Sequence, residues 1–221
     1  MKVLIVTDSL GLPRPTPERV EPEETWPELL SQHFDVTRFS SGGATIKDLF
    51  SQIEYMKMYN PDVVFIQSGI VDCAPRAFSK FENEFINKFR VTRYLSSKFL
   101  NKQRIIRLRK TRNTTYSTLA QFEEFIKRFN NSFPKVYWVE IVPANDAYEA
   151  VVPGIKRNVE RFNKLIKDNA GGRWISTSDF SDSDIMSDHI HLSKTGNYKL
   201  FKKVYDIAKK VQSEKGETAI S

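Results

Sequence analysis

The sequence predicts an α/β protein, a parallel sheet of about five strands covered by helices. Three observations lead there. Short β-rich apolar runs alternate with longer segments of helical period along the chain, the order expected of parallel strands joined by crossover helices. Three of the runs, Val3-Leu4-Ile5-Val6, Val63-Val64-Phe65-Ile66 and Val136-Tyr137-Trp138-Val139, are almost unbroken apolar stretches, as strands buried on both faces require. The length, 221 residues, suits one such domain with a substantial core and is short for two.

In chain order, strands are expected at Lys2–Thr7, Asp35–Phe39, Asp62–Gln67, Lys135–Ile141 and Arg173–Ser176. Helices are expected at Thr25–His33, Ile46–Tyr59, roughly Phe78–Lys110, Ser117–Phe129, Ile155–Asn169 and Ser193–Glu214. The last has a plausible cap at Ser193 and carries Leu200, Val204, Ile207, Ala208 and Val211 at helical spacing. The domain is expected to occupy residues 1–215, with 216–221 a frayed tail. No internal repeat is visible. Leu10–Pro27 contains Pro13, Pro15, Pro17, Pro22 and Pro27, so it must be a stiff loop, either a substrate-shaping one or a long surface connection.

Hydrophobic residues at 40% and charged residues at 28% are ordinary for a soluble globular protein. No apolar run approaches the ~20 residues that cross a bilayer, and the N-terminal stretch is too short for a signal peptide, so a cytoplasmic protein is expected. One cysteine, Cys73, excludes an internal disulfide and reads as a small buried hydrophobe. Of the 34 Lys and Arg residues, ten lie between Glu84 and Glu123, where there is no acid; the remaining 24 face 27 acidic residues. The net charge of +7 therefore belongs to one segment. That segment, 87–115, is longer than a crossover helix needs and reads as a basic helical insertion or lid. Its default role is a solvated amphipathic helix, and the alternative is peripheral contact with an anionic lipid or lipid-linked substrate. Nucleic acid is not expected, since no stacking aromatics or known module accompany the charge.

Ligands of open parallel sheets bind beyond the carboxyl ends of the strands. Ser9 ends the first strand, Ser41-Gly42-Gly43 follows the second, Gly69-Ile70-Val71-Asp72 the third, and Asp188 with His191 the fifth. A serine hydroxyl, an imidazole and an orienting carboxylate are the parts needed for acyl transfer, because the hydroxyl is a poor nucleophile until an oriented base takes its proton. Arg76, just past the third strand, could clamp a carboxylate or phosphate or sit in a surface ion pair. Asp182, Asp184, Asp188, His189 and His191 make an acidic, histidine-containing cluster, but no second cluster supports a metal, and neither metal nor cofactor is expected.

These blocks, in this order, resemble those of the SGNH/GDSL hydrolase family over nearly the whole chain. Thr7-Asp8-Ser9-Leu10 is similar to the Gly-Asp-Ser-Leu block, Ser41-Gly42-Gly43-Ala44-Thr45 to the glycine block, and Asp188-His189-Ile190-His191 to Asp-x-x-His. Asn163 falls where such proteins often carry a helical asparagine. The resemblance implies a flavodoxin-like three-layer α/β/α sandwich, with Ser9, Asp188 and His191 catalytic, and an oxyanion hole from Ser9, Gly43 and Gly69. Asp8, Asp72 and Arg76 are the expected substrate-binding residues. The implied chemistry is removal of an acyl group, typically acetyl, from a carbohydrate or related small ester. Acyl transfer to a sugar hydroxyl is the alternative in the same chemistry, and a non-catalytic binding protein the alternative outside it. One departure stands out: the third block, Gly-x-Asn-Asp, reads Gly69-Ile70-Val71-Asp72, so an oxyanion-donating asparagine is replaced by Val71. Gln67, Ser68 and Asn145 are candidates to replace its donor.

Overall fold

β1 (Lys2–Thr7) sits between β2 (Asp35–Ser40) and β3 (Val63–Gln67), and β4 (Val136–Val139) and β5 (Trp174–Ile175) extend the sheet beyond β3. The computed structural model describes residues 1–89, 94 and 100–218. All pairings are parallel, in the order β2-β1-β3-β4-β5, with Val3 opposite both Val36 and Val63 and Thr7 opposite both Ser40 and Gln67. Successive strand residues face opposite sides of the sheet. Leu4, Val6, Val64 and Ile66 therefore pack against Phe122, Phe129 and Ile166 on one face. Val3, Ile5, Val63 and Phe65 pack against Trp26, Leu200 and Val204 on the other. The result is three layers, helices on both sides of a five-stranded parallel sheet.

Helix ends follow local chemistry. The expected Ile46–Tyr59 helix is two, Ile46–Phe50 and Ile53–Met58. At the break the Ser51 hydroxyl donates to the Asp48 carbonyl at 2.6 Å, a local bond of the kind that bends or interrupts helices. The long Phe78–Lys110 expectation becomes Lys80–Lys88, capped by Ser79, and Lys102–Arg112, capped by Asn101 and stopped by Asn113 in the left-handed region (φ 45°). Most of what lies between, 90–93 and 95–99, is outside the described residues, and the middle of the expected 87–115 lid falls there. The C-terminal helix runs Lys194–Thr218, through the stretch expected to fray first. Two short helices escaped sequence reading, Ile70–Cys73 and Asp146–Val151. Among the described residues no helix is long and apolar enough to cross a membrane.

Candidate active site

β1 delivers Ser9. The strand ends at Thr7, Asp8 caps a single 3-10 turn (Ser9–Gly11) by accepting from the Leu10 N–H at 2.9 Å, and Ser9 opens that turn. A residue leading a helical turn has no intrahelical acceptor for its N–H, so the same residue presents a hydroxyl and a backbone donor. The loop before the C-terminal helix delivers the other two groups. His191 Nε2 lies 2.9 Å from Ser9 Oγ, and His191 Nδ1 lies 2.6 Å from Asp188 Oδ2. A carboxylate can only accept, so Nδ1 carries the hydrogen and Nε2 of the neutral ring turns its lone pair to the serine.

Asp188 is fastened on its own side. Oδ1 accepts from the Ile190 and His191 N–H groups, both at 3.0 Å. Burial works to raise this carboxyl, but the His191 ring and the two backbone donors outweigh it and hold it down at about 2. The proline-containing loop contributes a strut here: Glu18 accepts from the Ser187 N–H at 3.1 and 3.2 Å, next to Asp188.

A cavity of about 340 Å³ opens over Ser9 and His191, walled by Gly43, Val71, Arg76, Tyr116 and Tyr148 among others. Gly43 adopts φ +71°, and its N–H finds no acceptor among the described residues. The Ser9 and Gly43 amides are thus the donors that β1 and the β2 loop bring to this wall. Val71 adds an apolar side chain where the resembling block has an amide.

Several expected site residues have structural work elsewhere. Asp8 is fully buried, engaged with Leu10, and its Oδ2 has no partner; burial, with a smaller contribution from Asp72, pushes its carboxyl up to about 7. Asp72 holds the start of the Ile46–Phe50 helix through the Ile46 N–H (3.0 Å) and accepts from the Ser117 hydroxyl. Burial sets it at about 6. Neither carboxylate lines the cavity, so both act on the backbone that shapes the site rather than on a ligand. Gly69 does not line it either. It starts the Ile70–Cys73 helix at φ +130°, and a Cβ there would come within 2.7 Å of Ile141 Cδ1 and 3.1 Å of Phe122 Cζ.

The three candidate replacements for the missing donor are also occupied or enclosed. Gln67 accepts from the Trp26 indole N–H at 2.7 Å, Ser68 is buried, and Asn145 caps Asp146–Val151 through the Tyr148 N–H and donates to Asp182. Asn163 grips both backbone groups of Ile141, accepting at 2.8 Å and donating at 2.7 Å, and so fixes the exit of β4. Cys73 is buried, and burial followed by the Asp72 charge drives its thiol upward, away from reactivity.

Among the described residues no group of three or more His, Cys, Asp or Glu could hold a metal ion. In the acidic cluster, Asp182 is taken by Asn145, Asp184 by Ser181 and Lys199, and Asp188 by His191. His189, at φ 64°, stacks on Tyr148 at 5.9 Å.

Tyr116 and Tyr148 are site residues that sequence reading missed. Tyr148 had a signal: its helix follows β4, and the strand-end rule that singled out the other loops applies equally there. Tyr116 arrives from a connection between two helices and had none.

Among solved structures, a lipase/acylhydrolase from Enterococcus faecalis superposes at a TM-score of 0.63 with 15% identity, over 98% of this chain and 96% of that one. An acetyl xylan esterase follows at 0.59 with 18% identity, over 94% of this chain and 99% of that one. A putative lipolytic protein of the G-D-S-L family from Desulfitobacterium hafniense DCB-2 aligns at 0.51 with 14% identity, over 92% and 97%. The fold is that of the SGNH/GDSL hydrolases. No family model matches the sequence, and no curated protein does either. The shared fold spans almost the full length of this chain, at 14–18% identity.

Proposed function

We propose that this protein is a serine carboxylic-ester hydrolase that removes an acyl group, namely acetyl, from a carbohydrate or related small ester. The observation that carries the reading is the chain Asp188–His191–Ser9, with 2.6 and 2.9 Å links and the hydroxyl opening into the cavity. In this reading Ser9 Oγ attacks the ester carbonyl while His191 Nε2 takes its proton. Asp188 holds the ring tautomer and stabilises the imidazolium. The tetrahedral oxyanion faces the Ser9 and Gly43 amides. Collapse expels the alcohol, which leaves with the proton from His191, and water attacks the acyl-enzyme with His191 again as base. The small cavity suits a short acyl group, and the acetyl xylan esterase with this fold supports that choice.

The test is hydrolysis of p-nitrophenyl acetate together with labelling by a serine-reactive fluorophosphonate. Wild-type protein is expected to turn over and to label. Ser9→Ala is expected to lose labelling, and both Ser9→Ala and His191→Ala to lose at least ~10³-fold in kcat while keeping the far-UV circular dichroism. Turnover that survives Ser9→Ala would remove Ser9 as nucleophile.

A further inference from the structure

One guanidinium, Arg76, stands at the wall of this cavity, and a second, Arg109, lies close enough to feel its charge; among the described residues neither has a carboxylate partner. Arg76 lies over the Tyr116 ring at 4.5 Å and donates through Nη2 to the Val71 carbonyl at 2.9 Å. Arg109 reaches from the Lys102–Arg112 helix to the Val151 carbonyl at 2.9 Å, at the end of the short helix that carries Tyr148. Their segments are tied together, since Arg76 and Thr114 exchange antiparallel bonds (2.8 Å from the Arg76 N–H, 3.3 Å from the Thr114 hydroxyl). In both arginines Nε is buried with no hydrogen-bond partner.

Acidic partners are supplied elsewhere but not here. Arg112, on the same helix as Arg109, pairs with Glu82 at 2.9 Å. Among the described residues no Asp or Glu is within ion-pair distance of Arg76 or Arg109. Residues 90–93, 95–99 and 219–221 contain no acidic side chain that could serve. Burial and the like charge of Arg76 both depress the Arg109 guanidinium, the direction expected when cations are gathered before an anion arrives. Tyr148 adds a donor. The residue is only 4% exposed, yet it lines the cavity, and among the described residues its hydroxyl has no hydrogen-bond partner. Burial pushes it up to about 12, which keeps the proton on at neutral pH.

We propose that Arg76, backed by Arg109 and joined by the Tyr148 hydroxyl, is an oxyanion subsite of this cavity, and that the ester cleaved carries a carboxylate or phosphate beside its acyl group. Beyond the N–H that Arg76 gives to Val71, its guanidinium retains further donors for such a group, and an incoming anion supplies the missing counter-charge. The substrate assignment rests on the Ser9 hydrolase reading; the binding site does not.

The experiment compares para-acetoxybenzoate and para-acetoxyphenyl phosphate with neutral para-acetoxybenzamide. Alongside it, calorimetry measures benzoate and inorganic phosphate binding to Ser9→Ala protein. Wild-type kcat/KM is expected to favour an anionic ester by about 10- to 100-fold, the worth of one or two charge-assisted hydrogen bonds. Arg76→Gln is expected to bring that ratio toward one and to abolish anion binding, with Arg76→Lys recovering part of both. Arg109→Gln, which leaves the Val71 contact intact, is expected to lower the ratio as well. Equal rates on all three esters with no anion binding would overturn the subsite and leave the hydrolase standing. Arg76-dependent anion binding without cleavage of any ester would keep the subsite and sink the hydrolase reading. Neither cleavage nor binding would overturn both. The tighter of benzoate and phosphate identifies which oxyanion the site is built for.

Discussion

Asp188 shows how much one side chain can be asked to do when its neighbours are fixed. Its two oxygens divide the work, one for the imidazole and one for the backbone that carries it, so the histidine is aimed by the residue it leans on. At Val71 the same economy fails. The residue lies on the cavity wall but offers no donor, and removing one oxyanion donor typically costs ~10²–10³ in turnover. Val71→Asn is accordingly expected to raise kcat on p-nitrophenyl acetate by about tenfold or more, with little change in KM. Steady-state kinetics decides it, and an unchanged kcat in folded protein would mean that the two amides already suffice.

Among the elements, the short Ile70–Cys73 helix is the most tightly specified. It is entered through Gly69 at φ +130° beneath Ile141 and Phe122. Its Asp72 ties down the Ile46–Phe50 helix, and its Cys73 carbonyl accepts from buried Asn158 at 2.8 Å. Gly69→Ala combines a backbone conformation that side chains rarely adopt with an overpacked contact. Together these are expected to lower stability by ~2–4 kcal/mol, read as a lower urea midpoint with an unchanged m-value. A midpoint within experimental error of wild type would show that Ile141 moves aside freely.

Across the whole molecule, the buried carboxyls beneath the site set a pH dependence of stability. Asp8 moves from an ordinary 3.8 to about 7 on folding, and Asp72 to about 6. Between the unfolded and folded values the native state binds more protons than the unfolded chain. Stability from these groups therefore falls as pH rises from about 4 to about 7 and is flat above. Asp188, displaced in the opposite sense, contributes stability above about 4 that disappears only as pH drops toward 2. Thermal unfolding is expected to give a higher Tm near pH 5 than near pH 8, and Asp8→Asn is expected to flatten that difference. A Tm that climbs steadily to pH 8 in wild type would show that Asp8 is ionised without cost.

The five-strand parallel sheet, the strand positions to within a residue or two, and the convergence of Ser9, Gly43 and the Asp188–His191 loop on one edge were all legible in the sequence. They rest on local patterns: apolar runs mark buried strands, and a parallel sheet obliges strand ends to meet. Which polar residues face the cavity was not legible. Asp8 and Asp72 stand beside site residues in the chain, yet both turn inward to satisfy backbone donors. Arg76 and Arg109, 33 positions apart, become neighbours through the bridge to Thr114. Direction and partnership of a side chain depend on the packing of distant segments, and only the assembled layers decide whether a charge meets a backbone amide, a carboxylate or an open cavity.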